Sequence, residues 1–96
     1  MKRSDRRLRV PHDVAALIRK MHPHLKKKVK ASLKMILSDP GSGKSLKDEL
    51  FGLRSFRVSK FRIVYIIAKN GQVEIVAVGP RERIYEETYR LLRKKD

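Results

Sequence analysis

Four residues carry the chemistry this chain has to offer: Arg57, Arg62, Arg81 and Tyr85. A guanidinium is a planar, permanently charged fork that matches a pair of phosphate oxygens, and tyrosine supplies the one titratable hydroxyl of the set. Brought to one spot, the four would form a site that cleaves a phosphodiester, and the set points to RNA chemistry without a metal. Each also has a plainer use. Arg57 can be a solvated charge on a strand face, and Arg62 can pair with Glu74 across a sheet. Arg81 can hydrogen-bond a loop carbonyl, and Tyr85 and Tyr89, four apart on a helix, can be packing residues with their hydroxyls at the rim.

The elements that must position these groups follow from periodicity. Arg7 to Val10 reads as a short first strand ended by Pro11, with Asp13 placed to cap a helix whose apolar positions are Val14, Leu17, Ile18 and Met21. After His22-Pro23-His24 a second helix puts Leu25, Val29, Leu33, Ile36 and Leu37 on one face and Lys26, Lys27, Lys28, Lys30 and Lys34 on the other. Asp39-Pro40-Gly41-Ser42-Gly43 opens a loop to about Gly52, anchored by Leu46, Leu50 and Phe51. From Leu53 the period becomes two. Phe56 and Val58 share one side of a strand, while Ser55, Arg57 and Ser59 share the other. Phe61–Ala68 and Gln72–Val78 are further strands joined through Lys69-Asn70-Gly71, a strong hairpin signal, and Tyr65 belongs to the core. A last helix starts near Arg81, with Ile84, Thr88 and Leu91 on one face and a basic end at Arg93-Lys94-Lys95. The expected class is α+β in the order βααβββα: an antiparallel meander, the helix pair packed on one face, the first strand at an edge and a C-terminal helix.

Composition agrees with a polyanion as partner. Lys and Arg number 25 against 10 Asp and Glu, a formal charge of +15 in 96 residues, so the surface field is strongly positive. Nucleic acid is the default candidate; an anionic membrane surface and an acidic protein that masks the charge remain open. The length suits one domain, 1–96, with a single small core. With no cysteine there is neither a disulfide frame nor a thiolate metal site. No apolar stretch approaches the roughly 20 residues that span a bilayer, and MKRSDRRLRV lacks an apolar signal core, so the expectation is a cytoplasmic protein with no membrane partner.

Two runs resemble the RelE/ParE toxins of toxin–antitoxin pairs. The family pattern L-R-V-G-x-Y-R-V-V-Y is matched by Phe56-Arg57-Val58-Ser59-Lys60-Phe61-Arg62-Ile63-Val64-Tyr65. The later pattern G-x-R-x-x-V-Y is matched by Gly79-Pro80-Arg81-Glu82-Arg83-Ile84-Tyr85. The resemblance covers most of the chain and implies ribosome-dependent cleavage of messenger RNA, in which a 2′-hydroxyl attacks the neighbouring phosphorus and leaves a cyclic phosphate. It implies Tyr85 as base, Arg81 as acid, Arg57 and Arg62 as phosphate clamp, no cofactor, and an acidic antitoxin as partner beside the ribosome and mRNA. Cations aimed at a pentacovalent phosphorane stabilise charge that grows in the transition state. A free tyrosine ionises near pH ~10, so a tyrosine base needs neighbouring cations that favour the phenolate. Free arginine ionises above about 12, so charge stabilisation accounts for Arg81 as well as proton donation does.

The chain departs from RNA-cleaving members at Ser55, where some place a second lysine two residues before the clamp cation, and at Pro80, where others have a histidine. Other branches act on DNA gyrase without this cation set, and a catalytically weak relative would survive as a DNA-binding co-repressor with its antitoxin; retention of Arg57, Arg62, Arg81 and Tyr85 favours RNA. The five lysines of the second helix have no acidic residue at pairing distance on their face and are assigned to ribosomal RNA, with Arg54, Lys60 and Arg83 as further backbone contacts. Gly43-Lys44-Ser45 imitates the end of a P-loop, but Ser38 stands where the motif needs glycine and a helix precedes it. His12, His22 and His24 lie at helix ends without cysteine or well-spaced acidic partners, which argues against a metal cluster.

Overall fold

The computed structural model describes residues 7–94, and Lys95 of the expected basic end lies outside them. Its elements are β1 (Leu8–Arg9), α1 (His12–Arg19), α2 (Pro23–Ser38), β2 (Lys44–Ser45), β3 (Arg54–Val58), β4 (Phe61–Ile67), β5 (Val73–Pro80) and α3 (Ile84–Lys94). Strands run in the order β1-β5-β4-β3-β2, antiparallel except where β1 lies parallel to β5 at the edge. The α+β class, the meander and the edge position of the first strand are as the periodicity predicts. β2 is an addition: Lys44 and Ser45, in the loop, pair with Ser55 and Arg54.

β4 is central, and Ile63, Val64 and Tyr65 are fully buried because both faces of the sheet are covered. On one face Val14 and Ile18 of α1 and Val29 and Ile36 of α2 meet Val58, Ile63, Tyr65, Val73, Ile75 and Val78. On the other, Ile84 of α3 meets Leu46, Leu53, Val64 and Ala77, with Leu92 and Tyr85 packed alongside. Alternation along β4 thus sends Ile63 and Tyr65 to the helix pair and Val64 to α3. Opposite β4 the register slips by one: Val64 faces Ala77 and Tyr65 faces Ile75, leaving Val76 as the extra residue of a bulge.

Several local expectations are corrected. Asp13 does not cap α1; Pro11 holds the cap position without a side-chain bond, and Asp13 lies in the first turn, accepting from the Val14 amide at 3.0 Å. α2 starts at Pro23, whose missing N–H costs nothing there, and His22 Nδ1 accepts from the His24 amide at 3.2 Å. Phe51 is no anchor, being 84% exposed, while Leu46 and Leu50 do pack inward. β5 continues through Gly79-Pro80, so α3 begins at Ile84 after a turn and not at Arg81; its inward face continues to Leu92, with Leu91 41% exposed.

The loop after α2 is tied to the sheet by Tyr65. Its hydroxyl donates to Pro40 O at 2.5 Å and accepts from the Gly43 amide at 3.0 Å. A Cβ on residue 43 would run into the Tyr65 hydroxyl, which is why this position needs glycine, and its amide is already used by the phenol instead of being free for a phosphate.

Candidate functional site

Three of the four sequence candidates share one corner of the α3 face. Arg57 and Arg62 sit directly opposite each other across β3 and β4. Ser55, two residues before Arg57 on the same side of β3, is 1% exposed. Its Oγ accepts from Arg62 Nη1 at 3.1 Å and from the Tyr85 hydroxyl at 3.1 Å. Tyr85 stands in the first turn of α3, so a strand serine, a strand arginine and a helix tyrosine are joined across 30 residues of sequence. Arg62 does not pair with Glu74: it lies opposite Gly79, whereas Glu74 lies opposite Ile66 and beside Arg9.

Arg81 reaches the same corner through its backbone. Its amide donates to Lys60 O at 2.8 Å, which sets the turn before α3 against the Ser59-Lys60 turn between β3 and β4. Gly79 lets α3 lie this close: a Cβ there would stand 3.0 Å from Ile84 Cδ1 and 3.4 Å from Glu87 Oε1. The guanidinium of Arg81 is exposed and takes no hydrogen bond among the described residues, so the loop-carbonyl alternative is not realised. Lys60 and Arg83 are exposed in these same two turns.

Electrostatically the corner is uncompensated. Cross-strand neighbours have Cβ atoms roughly 4.5–5.5 Å apart, a separation at which like charges repel. Among the described residues no carboxylate pairs with Arg57, Arg62 or Arg81; the ion pair formed is Arg90 with Glu86 at 3.1 Å, on an exposed part of α3. An anion with two or more oxygens would relieve that repulsion, and a phosphodiester has that shape.

The remaining basic candidates lie elsewhere. Arg54 shares its side of β3 with Phe56, facing away from the corner, and its guanidinium donates to Gly43 O and Gly41 O, each at 3.1 Å. It braces the loop. Lys27, Lys28, Lys30 and Lys34 are exposed along α2 and Lys26 is half-buried, without ion pairs among the described residues. Since α2 covers the opposite face of the sheet, an RNA that touches both the lysines and the corner must wrap around the domain edge.

Ser55 is the site residue that sequence reasoning passes over. Read along the chain it is a missing lysine; in space it is the acceptor that holds Arg62 and Tyr85. The one signal for it is its period-two relation to Arg57.

Beside α3 the sheet is not fully covered. Leu53, Ile66, Val76, Leu91 and Leu92, with Arg9, Pro11 and Asp13, line an open groove of about 580 Å³. No helix among the described residues is long and apolar enough to cross a membrane.

A family model for the ParE toxin of type II toxin–antitoxin systems matches residues 8–85. Among solved structures, similarity extends to the toxin–antitoxin complex RelBE2 from Mycobacterium tuberculosis, with TM-score 0.70 and 25% identity over 79% of this chain and 98% of that one. A free-state mutant of E. coli toxin RelE gives TM-score 0.69 and 20% identity over 94% and 96%. The YoeB–YefM complex from Staphylococcus aureus gives 0.63 and 20% over 79% and 97%. Among curated proteins none matches the sequence significantly.

Proposed function

Given that the chain belongs to the ParE toxin family of type II toxin–antitoxin systems, within the RelE/ParE superfamily, we propose that it is a ribosome-dependent messenger endoribonuclease. The observation that carries this reading is the corner itself: Arg57 and Arg62 opposed across two strands without a carboxylate, and Tyr85 joined to Arg62 through Ser55. A phosphodiester seated there has its non-bridging oxygens against Arg57 and Arg62. Tyr85, as phenolate, takes the proton of the 2′-hydroxyl; the 2′-oxygen forms a bond to phosphorus while the bond to the 5′-oxygen breaks. Arg81 stabilises charge on the leaving 5′-oxygen, which takes a proton from solvent water and ends as a hydroxyl, and the products are a 2′,3′-cyclic phosphate and a free 5′ end. Arginines that face negative charge growing in the transition state act on the chemical step more than on binding.

The lysines of α2 serve the same function at a distance, as sequence-independent contacts to ribosomal RNA. An acidic antitoxin is the proposed protein partner, in keeping with the RelB- and YefM-bound neighbours, and the groove beside α3 gives its apolar residues a seat. Because α3 occupies much of the second sheet face, that face is not open from edge to edge, and the groove is what remains for a partner segment.

Primer extension on messages after induction tests the reading: new 5′ ends inside translated codons are expected. Intact messages accompanied by DNA breaks would overturn it in favour of a gyrase-directed toxin, the reading favoured by the ParE model and by Ser55 and Pro80 in place of a lysine and a histidine.

A further inference from the structure

We propose that Ser55 is a positioning residue for cleavage: a hydroxyl hub that links the Tyr85 oxygen to Arg62 through its own Oγ whether the phenol is protonated or ionised. The inference rests on the endoribonuclease reading and adds to it a residue and a way of working.

A serine oxygen has two lone pairs and one proton. In the structure both acceptor directions are used, one by Arg62 Nη1 and one by the Tyr85 hydroxyl, so the serine proton is surplus to these two contacts. When Tyr85 is a phenol it donates and Ser55 accepts. When Tyr85 is a phenolate it has no proton to give, and the Ser55 hydroxyl turns about its Cβ–Oγ bond to donate, while Arg62 still donates to the same oxygen. The chain guanidinium N–H to serine oxygen, serine O–H to phenolate then aligns its dipoles, each bond strengthening the next at low local dielectric. Proton uptake by Tyr85 from the 2′-hydroxyl reverses the rotation without breaking a heavy-atom contact. Alanine leaves Arg62 and Tyr85 without this partner, and lysine, which has only donors, cannot accept from either. Burial at 1% keeps water from substituting for the hydroxyl, and the strand backbone fixes its place beside Val64.

The test is single-turnover cleavage on programmed ribosomes across a range of protein concentrations, with unfolding curves for every variant. Ser55→Ala should lower the saturated rate by about ten- to a hundredfold, the worth of one or two hydrogen bonds felt at the reacting group, with the half-saturating concentration changed by less than about twofold. Ser55→Thr, which retains the hydroxyl, should restore most of the rate. Ser55→Cys fills the site but is a weak acceptor, and should be as slow as alanine even where alanine packs poorly. In a Tyr85→Phe background, Ser55→Ala should cost much less, because only the hold on Arg62 remains to be lost. A full rate for folded Ser55→Ala or Ser55→Cys overturns the inference, and so does a loss equally large in the Tyr85→Phe background, which would mean that Ser55 does not act through the tyrosine. A parent protein that cuts no message overturns the endoribonuclease reading and the inference together, and the parent reaction alone reports that outcome.

Discussion

Replacing Tyr65 by phenylalanine removes one oxygen atom and leaves the ring, so the effect isolates what the hydroxyl does. That oxygen lies in a fully buried residue and serves two backbone groups of the loop, Pro40 O and the Gly43 amide, themselves in buried residues. Each polar group orphaned in the interior costs about 1–3 kcal/mol. Two orphans set an upper range of about 2–6 kcal/mol, and Arg54, which also grips Gly41 and Gly43, keeps the loop from leaving to find water. Partial relaxation brings the expected loss to about 2–3 kcal/mol, a large fraction of the roughly 5–14 kcal/mol that a chain of this length commands. Urea unfolding followed by circular dichroism measures it, with the midpoint lowered and the slope unchanged. Gly43→Ala supplies the cross-check: its Cβ collides with the same hydroxyl, so it should destabilise the parent more than it destabilises Tyr65→Phe, by about 1 kcal/mol. A loss under about 0.5 kcal/mol for Tyr65→Phe, or full additivity with Gly43→Ala, would refute the reasoning.

Ser59 holds φ +58° in the turn between β3 and β4, where the family pattern carries glycine, so Ser59→Gly should raise stability by about 0.5–1 kcal/mol in thermal unfolding. Arg81→Ala and Tyr85→Phe should slow single-turnover cleavage by about a hundredfold, roughly 3 kcal/mol of barrier, with stability unchanged by Arg81→Ala and lowered by about 1 kcal/mol, the worth of the bond to Ser55, by Tyr85→Phe; parent-rate cleavage by Tyr85→Phe would return the tyrosine to a packing role. Replacing Lys26, Lys27, Lys28 and Lys30 together should do the reverse, weakening ribosome binding and flattening its dependence on salt by about 0.7–0.9 in log–log slope for each phosphate no longer neutralised, as read from sedimentation at several salt concentrations. Association with the acidic antitoxin should slow as salt rises, and a rate indifferent to salt in stopped-flow mixing would argue against electrostatic steering.

Much of this arrangement is legible in the sequence because it depends on short-range period. The alternation from Leu53 onwards places Arg57 away from the apolar side, and Asn70-Gly71 marks a hairpin that forms with Gly71 at φ +87°. What the sequence hides depends on neighbours distant along the chain. Lys44-Ser45 becomes a strand only because β3 offers it a free edge, and Phe51 reads as an anchor although nothing folds over it. Gly79-Pro80 reads as a break, yet β5 carries through it because Phe61 and Arg62 extend the ladder opposite. Ser55 is the sharpest case: identity and spacing mark it as a missing charge, and its use comes from a helix 30 residues away.

The parallel edge strand β1 bears on how this molecule comes apart. Pairing Leu8 with Val73 joins positions 65 residues apart, and β1 contributes two residues to hold that connection. The meander from Arg54 to Pro80, by contrast, is built from adjacent strands with tight turns. Loop-closure entropy therefore makes the N-terminal strand the late addition in folding and the early loss in local opening. The Val73 amide, bonded to Arg7 O, should exchange with solvent sooner than the amides shared between β3 and β4. Arg57, Arg62 and Ser55 belong to the persistent part, so the arginine corner keeps its geometry while the far edge of the sheet breathes.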